Sequence, residues 1–428
     1  MKKILAFALC VMMVFALAAC NNGSNSGNEA TQAPANTDNT KVTPEPAGSD
    51  LKVGVILVGD ENEGYTAAHM DGIKAAMKNC GIKDEQVIWK YNIPENAECY
   101  DAAVDLAEKG CKIIFSNSYS HQSYMVQAAQ EYPEIVFCPA TGDTAAVCGL
   151  PNVVNFFPYT FESRYVSGVV AGMKLKELMD AGTVTDAYVG YVGAYPYAEV
   201  VSGYTAFFLG IRSIVPEAHM DVLYTNSWFD LNKEGEAAKA LMARGCVIIG
   251  QHADSTGAPS AIEAALAEGK VAYSVGYNID MLSVAPNAAL TSAQNNWSVL
   301  FTNILKDFMD GKTMQHDYTA DYTTDGVMIS ALGNSCAPGT AEKVAEVIAA
   351  IKAGTLHVFD VSTFTVNGEQ LSSYTFNSST MNADYTAVLY QGQDYETITD
   401  GYFHESVFRS APYFDLRIDG ITELTEAA

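Results

Sequence analysis

Two hydrophobic patterns alternate along most of this sequence, and they constrain its fold more than any other feature. Short continuous apolar runs rich in Val and Ile, such as 51–58, are typical of parallel strands buried on both faces. Segments with apolar residues three and four positions apart, such as 65–78, are typical of helices packed against a sheet. Parallel strands need a crossover connection, which is usually a helix. The alternation therefore predicts a doubly wound α/β fold.

The strand–helix alternation occurs twice, with no Pro/Gly/Ser-rich linker between the two copies. Strands are predicted at 51–58, 87–91, 112–116, 135–138, 187–192, 220–224, 247–250 and 271–275. Helices are predicted at 65–78, 97–109, 120–131, 161–179, 200–214, 233–243, 259–268 and 340–353, and short strands and loops at 360–424. Two similar lobes joined without a loose linker indicate one hinged unit. Ligands of open α/β sheets bind beyond the carboxyl ends of the strands, so we expect a ligand site in an interlobe cleft.

The N-terminus has the pattern of a bacterial export signal. Two lysines precede fourteen apolar residues, 4–17. As a helix these span only about 21 Å, too short for a hydrocarbon core of about 30 Å. The following Leu-Ala-Ala-Cys20 fits a lipobox, which predicts a signal peptide at 1–19 and a lipid on Cys20. The alternative is an ordinary signal peptide cleaved beside an incidental cysteine. Residues 20–49 lack aromatic residues, Leu and Ile, so we expect a flexible tether there.

Composition excludes several classes of function. The 428 residues include 50 acidic and 24 basic side chains, a formal charge of −26, and 49% of the residues are hydrophobic. A nucleic-acid binder needs a concentrated Lys/Arg surface, and so does a protein that docks on anionic lipid through a basic face. The hydrophobic content is too high for a disordered chain. We expect an acidic monomer outside the cytoplasm, attached to the cell membrane by its lipid anchor only.

Seven cysteines follow position 20, an odd number without a C-x-x-C pair. Exported proteins of oxidising habitats usually pair their cysteines. Most of these seven lie within apolar strand or helix patterns, and we interpret them as small buried hydrophobic residues. A bridge between Cys138 and Cys148 stays open as an alternative.

The common motifs of enzymes and cofactor sites are missing from the sequence. No two glycines are spaced G-x-G, which removes the dinucleotide fingerprint, and H-E-x-x-H and G-x-S-x-G do not occur. A catalytic triad scattered along the chain would leave no such motif. We therefore expect a protein that is not an enzyme and needs no cofactor or metal, and a secreted enzyme is the less favoured alternative.

Polar and aromatic residues cluster where predicted strands end. The candidate ligand-binding residues are Asn62, Tyr65, Thr66, Asn117, Trp228, His252, Asp254, Asn278 and Asp280. Aromatic faces stack on flat heterocycles, while amide and carboxylate groups bind the edges of such rings or accept hydroxyl groups. Few Lys or Arg residues lie near these positions, which disfavours a phosphorylated ligand. The set predicts a binding site for an uncharged heterocycle.

Each candidate has a structural alternative. Tyr65 and Trp228 could be ordinary packing residues. His252 and Asp254 could form a metal site or an acid–base pair. Without further ligands nearby in sequence, a hydrogen-bonded binding pair is favoured for these two. Asp280 could cap a turn.

Two other features are interpreted as structural. Asp230 precedes a predicted helix, where its carboxylate could accept hydrogen bonds from free backbone N–H groups, so we expect an N-cap. Gly168 and Gly172 lie one helical turn apart, and without a membrane span around them they predict close helix packing within the protein.

The order of several sequence runs resembles the basic membrane protein family of bacterial lipoproteins. The runs are G-D-E-N-E-G-Y-T-A-A-H-M-D-G at 59–72, R-Y-V-S-G-V-V-A-G at 164–172, G-Y-V-G-A-Y-P at 190–196, N-S-W-F-D at 226–230 and Q-H-A-D at 251–254. Their shared order with the lipobox carries the resemblance, which covers about 51–361. The resemblance implies a type I periplasmic-binding-protein fold with two Rossmann-like lobes. It also implies a purine nucleoside or free base as ligand and an ABC transporter permease as partner.

The resemblance also assigns roles to individual residues. Tyr65 matches the first stacking aromatic of the family, with Asn62 in the adjoining polar loop. Trp228 matches the aromatic residue of the second lobe, and Asp254 matches a polar position in the cleft. Asn278 stands where nucleoside receptors usually carry a ribose-binding Asp. This departure leaves a free base such as adenine as plausible as a nucleoside.

The expected lobes follow from the same resemblance. The first lobe takes 51–158 and about 293–320, and the second takes 159–292 and about 321–375. The lobe of 376–428 is not assigned. Two alternatives share the fold: a ligand-binding protein of a sensor or chemoreceptor, and a binder of a sugar or small signal molecule.

Overall fold

The computed structural model describes residues 50–382 and 386–424. The predicted signal peptide, the lipidated Cys20 and the tether lie outside these described residues. Within them, no helix combines the length and the apolar character needed to cross a membrane.

The first sheet is built from strands that alternate with helices. The elements are β1 (Val53–Ile56), α1 (Gly64–Cys80), β2 (Val87–Lys90), α2 (Ala97–Glu108), β3 (Ile113–Ser116), α3 (Gln122–Glu131) and β4 (Val136–Pro139). The strands are all parallel, in the order β2-β1-β3-β4. Every residue of β1, β3 and β4 is buried, because helices cover both faces of the sheet. This burial explains the continuous apolar runs of the sequence.

The rest of the described chain repeats the alternation and supplies the larger second sheet. After β5 (Asn155–Phe156) come α4 (Thr160–Asp180), β6 (Tyr188–Gly193), α5 (Ala198–Arg212), β7 (His219–Tyr224), α6 (Leu231–Arg244), β8 (Ile248–Gln251), α7 (Gly257–Ala267), β9 (Tyr273–Tyr277), β10 (Ala289–Asn295), α8 (Trp297–Met309), β11 (Asp317–Tyr318), β12 (Val327–Ile329) and α9 (Thr340–Lys352). The C-terminal region adds β13 (Thr375–Asn377), β14 (Thr380–Met381), β15 (Val388–Tyr390), β16 (Asp394–Glu396), β17 (Ile398–Thr399), β18 (Tyr402–Phe403) and β19 (Ile421–Leu424). Short 3₁₀ helices lie at Asp84–Gln86, Tyr119–His121, Met281–Ser283 and Val361–Thr363.

Seven strands form the second sheet, in the order β12-β10-β9-β8-β6-β7-β19. The edge strand β12 is antiparallel and the others are parallel. The predicted α/β fold with parallel sheets is thereby confirmed, and the region after 360 consists of short strands and loops as expected. At the other edge, β19 joins β7, so residues 421–424 belong to this sheet.

Each sheet has its own hydrophobic core on each face, and we call the two parts the first lobe and the second lobe. The helix α8 follows β10 of the second sheet but packs against α1 in the first lobe. The chain passes between the lobes at 157–160, 295–297 and 318–322. Backbone hydrogen bonds join the first and third passages, including Tyr159 N–H to the Ala320 carbonyl (2.7 Å), and the Thr160 hydroxyl donates to Asn295 Oδ1 of the second (2.9 Å).

Glycines allow α4 and α5 to approach closely. A Cβ atom at Gly168 would lie 2.0 Å from the carbonyl oxygen of Phe207, and one at Gly210 would lie 2.1 Å from that of Tyr165. One at Gly172 would lie 2.9 Å from the carbonyl oxygen of Ile211. The predicted role of the Gly168–Gly172 spacing in helix packing is confirmed.

Two smaller predictions can be checked directly. Asp230 is the N-cap of α6, and its carboxylate accepts hydrogen bonds from the N–H groups of Asn232 and Lys233. The seven cysteines of the described residues are free thiols, so Cys138 and Cys148 do not form a bridge. Burial raises the pKa of the Cys138 thiol well above its ordinary value, which makes it unreactive.

Candidate functional site

The N-terminal turn of α1 meets the ends of β8 and β9 between the two lobes. A Cβ atom at Gly64 would lie 3.1 Å from the main-chain oxygen of Asp254 and 3.5 Å from the Ile279 side chain. Glycine at this position therefore lets the lobes touch. Because the carboxyl ends of parallel strands face this contact, it is the expected place for a ligand of an α/β protein.

The first-lobe side of the cleft is aromatic. The Tyr65 and His69 ring centroids lie 4.4 Å apart, and those of His69 and Trp297 lie 3.8 Å apart. Trp297 also meets Tyr65 edge-on at 5.9 Å. The Tyr65 hydroxyl, both His69 nitrogens and the Trp297 indole N–H are buried without hydrogen-bond partners within the described residues. Burial lowers the pKa of His69 well below its ordinary value, so its ring is neutral.

Three neighbouring polar groups hold this aromatic face in place. The Glu63 carboxylate caps α1 by accepting hydrogen bonds from the N–H groups of Tyr65 (2.9 Å) and Thr66 (2.8 Å). The Asn117 amide accepts from Val58 N–H (2.8 Å) and donates to the Thr66 hydroxyl (3.1 Å). Thr66 and Asn117 thus lie beside Tyr65, but these bonds already use their polar atoms to fix α1 against β1.

The second-lobe side of the cleft carries a buried acid–amide pair. The Asn278 Nδ2 donates to Asp254 Oδ1 at 2.5 Å. Because that bond directs the amide nitrogen at the carboxylate, Asn278 Oδ1 is left as an acceptor, and it is buried without a partner within the described residues. Asn278 Oδ1 therefore offers a hydrogen-bond acceptor to a group that enters the cleft.

His252 does not pair with Asp254 as the sequence suggested. Its Nε2 lies 2.8 Å from Glu199 Oε1, at the first turn of α5, and its ring lies 5.1 Å from that of Tyr277. The chain curls after β8 because the Gln251 amide donates to the carbonyls of Ala253 and Ser255. This curl turns His252 toward α5 and Asp254 toward α1.

Arg164 is the main feature of the site that the sequence did not reveal. Its side chain is buried at 2% exposure, its Nη1 donates to the Gln251 carbonyl at 2.6 Å, and its guanidinium lies 3.6 Å from the Tyr277 ring centroid. Its Nε and Nη2 have no partner within the described residues. The sequence predicted few basic residues near the cleft, and the structure adds one that it missed, the buried Arg164. Arg164 lies in the N-terminal part of α4, within a helix and not in a loop that follows a strand.

Acidic groups still outnumber this guanidinium. Burial, with the nearby carboxylates of Glu63, Glu234 and Glu199, raises the pKa of Asp254 well above its ordinary value. Burial lowers the pKa of His252, with a smaller lowering from Arg164. A phosphate would meet several carboxylates and one guanidinium already packed on a tyrosine ring, which disfavours it.

The three remaining candidates are Trp228, Asn62 and Asp280, and none of them is fully buried. Trp228 is half-buried, 5.3 Å from the Tyr195 ring centroid and 6.4 Å from that of His252, and its main-chain oxygen accepts from Asp254 N–H at 2.7 Å. Asn62 is exposed, and its side chain donates to Asp60. Asp280 is exposed and caps the short helix Met281–Ser283. The structure thus brings Tyr65, Thr66, Asn117, Trp228, His252, Asp254 and Asn278 to the cleft and leaves Asn62 and Asp280 at the surface.

The arrangement suits binding better than catalysis. Among residues 50–382 and 386–424, no group of three or more His, Cys, Asp or Glu side chains is placed to hold a metal ion. His252 is neutral. Its Nε2 faces the carboxylate of Glu199 in α5, not the hydroxyl or thiol of a nucleophile. Rings on one side and acceptors on the other form a site that can surround a flat polar molecule.

A family model described as "ABC transporter substrate-binding protein PnrA-like" (Bmp) matches residues 51–352, more than half of the chain. The chain belongs to this family. It is therefore an extracytoplasmic substrate-binding protein of an ABC transporter, a solute-binding protein and not an enzyme, as the sequence predicted.

One relative is a purine-binding protein of Brucella abortus (strain 2308), which is 32% identical over 315 residues. The match covers 73% of this chain and 84% of the relative.

Solved structures confirm the type I periplasmic-binding-protein fold. A solute-binding protein of an ABC transporter system from Aeropyrum pernix K1 has a TM-score of 0.58 at 16% identity, over 72% of this chain and 87% of its own. A second one, from Conexibacter woesei DSM 14684, has a TM-score of 0.56 at 19% identity, over 72% and 98%. At these identities the likeness concerns the fold alone.

Proposed function

We propose that this protein captures a purine base or nucleoside between its two lobes and delivers it to an ABC importer. The observation that carries the proposal is the pairing of an aromatic face, Tyr65 with His69 and Trp297, with a buried acid–amide pair, Asp254 with Asn278. Stacking on each ring contributes about 1–3 kcal/mol for a flat base, and satisfied edge contacts add to it. The purine-binding relative supports the same ligand class.

The buried polar atoms without partners support a ligand of this kind. The Tyr65 hydroxyl and Trp297 indole N–H can donate, while Asn278 Oδ1 can accept. An unsatisfied buried group costs about 1–3 kcal/mol, so a ligand that pairs with these atoms removes that cost. Sugar-binding sites also combine rings with polar groups, but a sugar has no flat π-face to fill the space between the lobes.

In the proposed mechanism, ligand binding stabilises closure of the hinge. A ligand that contacts both lobes binds the closed state better than the open one and shifts the population toward closure. The closed state then presents a surface that the permease recognises. Trp228 and His252 complete the proposed ligand-binding set, Thr66 and Asn117 position Tyr65 within it, and Asn62 and Asp280 stand at the rim of the cleft.

Native mass spectrometry of the full-length protein, followed by calorimetry, tests this proposal. We expect a co-purified purine, and after its removal we expect submicromolar binding of adenine or a purine nucleoside, with no heat from glucose. Binding of glucose without binding of any purine would overturn the proposal in favour of the sugar alternative.

We also propose that Cys20 carries the lipid that anchors the protein to the outer face of the cell membrane. The basic residues, the apolar run and the small residues before Cys20 support this together. Radiolabelled palmitate fed to the producing bacterium should label the wild-type protein and not Cys20→Ser. Equal labelling of both proteins would contradict lipidation at Cys20.

A further inference from the structure

The C-terminal segment beyond the family match contains a loop that reaches from one lobe to the other. We call residues 405–413 the clasp. The family model ends at 352, so the shared features of the family do not account for the clasp. Its two ends are anchored in the second lobe and its middle contacts the first.

Both ends of the clasp are held by buried groups of the second lobe. The Glu405 carboxylate, 3% exposed, accepts from Tyr413 N–H at 3.2 Å and bonds to the Ser202 side chain of α5. Phe414, directly after the clasp, is fully buried and stacks on Phe359 with centroids 4.2 Å apart, within the core of the second lobe. The clasp is therefore tied to this lobe at each end.

The middle of the clasp binds two acidic side chains on the first-lobe side. Arg409 Nη1 lies 3.1 Å from Asp143 Oδ2, and the two side chains are only 12% and 7% exposed. Asp143 also accepts from the Gln122 amide of α3 (3.0 Å), which fixes it to the first lobe. Among the ion pairs of residues 50–382 and 386–424, Arg409–Asp143 is the one that joins the lobes.

The second contact lies beside the first. The Ser410 N–H and hydroxyl both donate to Asp317 Oδ1 at 2.7 Å. Asp317 belongs to β11, which pairs with β5, and the next side chain, Tyr318, packs in the core of the first lobe. Both contacts are charge-assisted, and removing Arg409 leaves the buried Asp143 carboxylate with only the neutral donors Gln122 and Tyr119.

We propose that the clasp holds the lobes in the closed arrangement, and that Arg409 and Ser410 are positioning residues that set how much of the unliganded protein is closed. Neither residue touches the cleft. Opening of the lobes separates Asp143 from a loop whose ends stay with the second lobe, while Asp317, next to the passage at 318–322, moves less. The apparent affinity for a ligand of the closed state falls in proportion to the closed fraction.

Small-angle X-ray scattering without ligand tests the clasp independently of the identity of the ligand. The double variant Arg409→Gln, Ser410→Ala should have a larger radius of gyration than the wild-type protein. Its affinity for adenine should be about tenfold weaker if the closed fraction falls tenfold. Arg417→Gln is the matched control, because Arg417 bonds to Asp415 and Glu423 within the second lobe and the charge change is the same.

Ser410→Ala alone serves as a milder variant if the double variant does not fold, and it should shift the radius in the same direction by less. A radius and an affinity equal to those of Arg417→Gln would overturn the proposal. A lower melting temperature with an unchanged radius of gyration and affinity would also overturn it, since the clasp would then be an ordinary structural contact. Because scattering needs no ligand, the clasp can be supported even if no purine binds.

Discussion

The two sides of the interlobe cleft differ in chemistry. The first-lobe side carries the Tyr65 ring, backed by the buried rings of His69 and Trp297, and the Glu63 carboxylate caps α1. The second-lobe side is a set of buried ionisable and amide groups, Asp254, Asn278, His252 and Arg164, held by hydrogen bonds. Stacking tolerates many flat ligands because every base has a π-face. A hydrogen-bond acceptor, in contrast, favours only ligands that present a donor at the matching position. The comparison suggests that the first lobe supplies affinity and the second supplies selectivity.

The largest expected effect comes from removing the aromatic side. Tyr65→Ala should weaken purine binding about 10- to 100-fold, since a stacking ring contributes about 1–3 kcal/mol per base. All purines should lose affinity to a similar extent. Calorimetry with adenine, hypoxanthine and unsubstituted purine measures this.

Tyr65→Phe is the matched control for that variant. It keeps the ring and removes a hydroxyl that has no partner within the described residues. Binding should weaken by about 2- to 13-fold, less than in Tyr65→Ala, if stacking dominates, because a typical net hydrogen bond contributes only about 0.5–1.5 kcal/mol. A loss as large as that of Tyr65→Ala would show that the hydroxyl, not the ring, carries the contact.

A smaller but selective effect is expected on the polar side. Asn278→Leu removes the open acceptor Oδ1 at similar volume, together with the Nδ2 that donates to Asp254. Adenine, whose amino group is a donor, should lose about tenfold in affinity, while unsubstituted purine should lose little. Equal losses for both ligands would contradict the assignment of selectivity to the second lobe.

The two sides should respond to pH in opposite directions: the aromatic side gains stability as the pH rises to about 6.5, because the buried His69 stays neutral, while the polar side loses it. Burial raises the folded-state pKa of Asp254 well above its ordinary value. The folded protein therefore holds a proton that the unfolded chain releases. This contribution to stability is fully present below about pH 4 and is lost as the pH rises toward the folded-state pKa.

Urea unfolding between pH 5 and 8 measures this contribution. The free energy of unfolding of Asp254→Asn should fall with pH less steeply than that of the wild-type protein, by up to about 1.4 kcal/mol per pH unit within that window. Burial raises the pKa of Glu162 to about 7 and that of Glu405 to about 8, so some fall remains in the variant. Tyr65→Phe should keep the wild-type slope. Parallel curves for all three proteins would show that Asp254 does not titrate in this range.

The sequence predicted the elements of this fold well because strand and helix patterns alternate without interruption. It also placed Asp254 and Asn278 at strand ends, and the parallel sheet then brought them into contact. The helix α8 was not predicted from the sequence, although the buried apolar residues of this helix are three and four positions apart. Trp297, the first residue of α8, was therefore not expected in the cleft.

Arg164 and Glu199 could not be found from local patterns for a different reason. Both lie in helices, and their positions beside Tyr277 and His252 depend on how α4 and α5 pack on the second sheet. Such contacts join residues far apart in sequence, and no periodicity records them. Asp254 shows the same limit, because its neighbours Glu63 and Glu199 come from different lobes.

The smallest effects are expected at the surface of the cleft. Asn62 donates to Asp60, and Asp280 caps a short helix through Leu282 N–H, with both side chains exposed. Asn62→Ala and Asp280→Ala should leave purine affinity within about twofold, because exposed substitutions typically change free energies by less than about 0.5 kcal/mol. Asp280→Ala should cost about 1 kcal/mol of stability through its lost cap. A tenfold loss of affinity in either variant would mean that its loop closes over the ligand, so that the division of labour extends beyond the buried faces to the rim of the cleft.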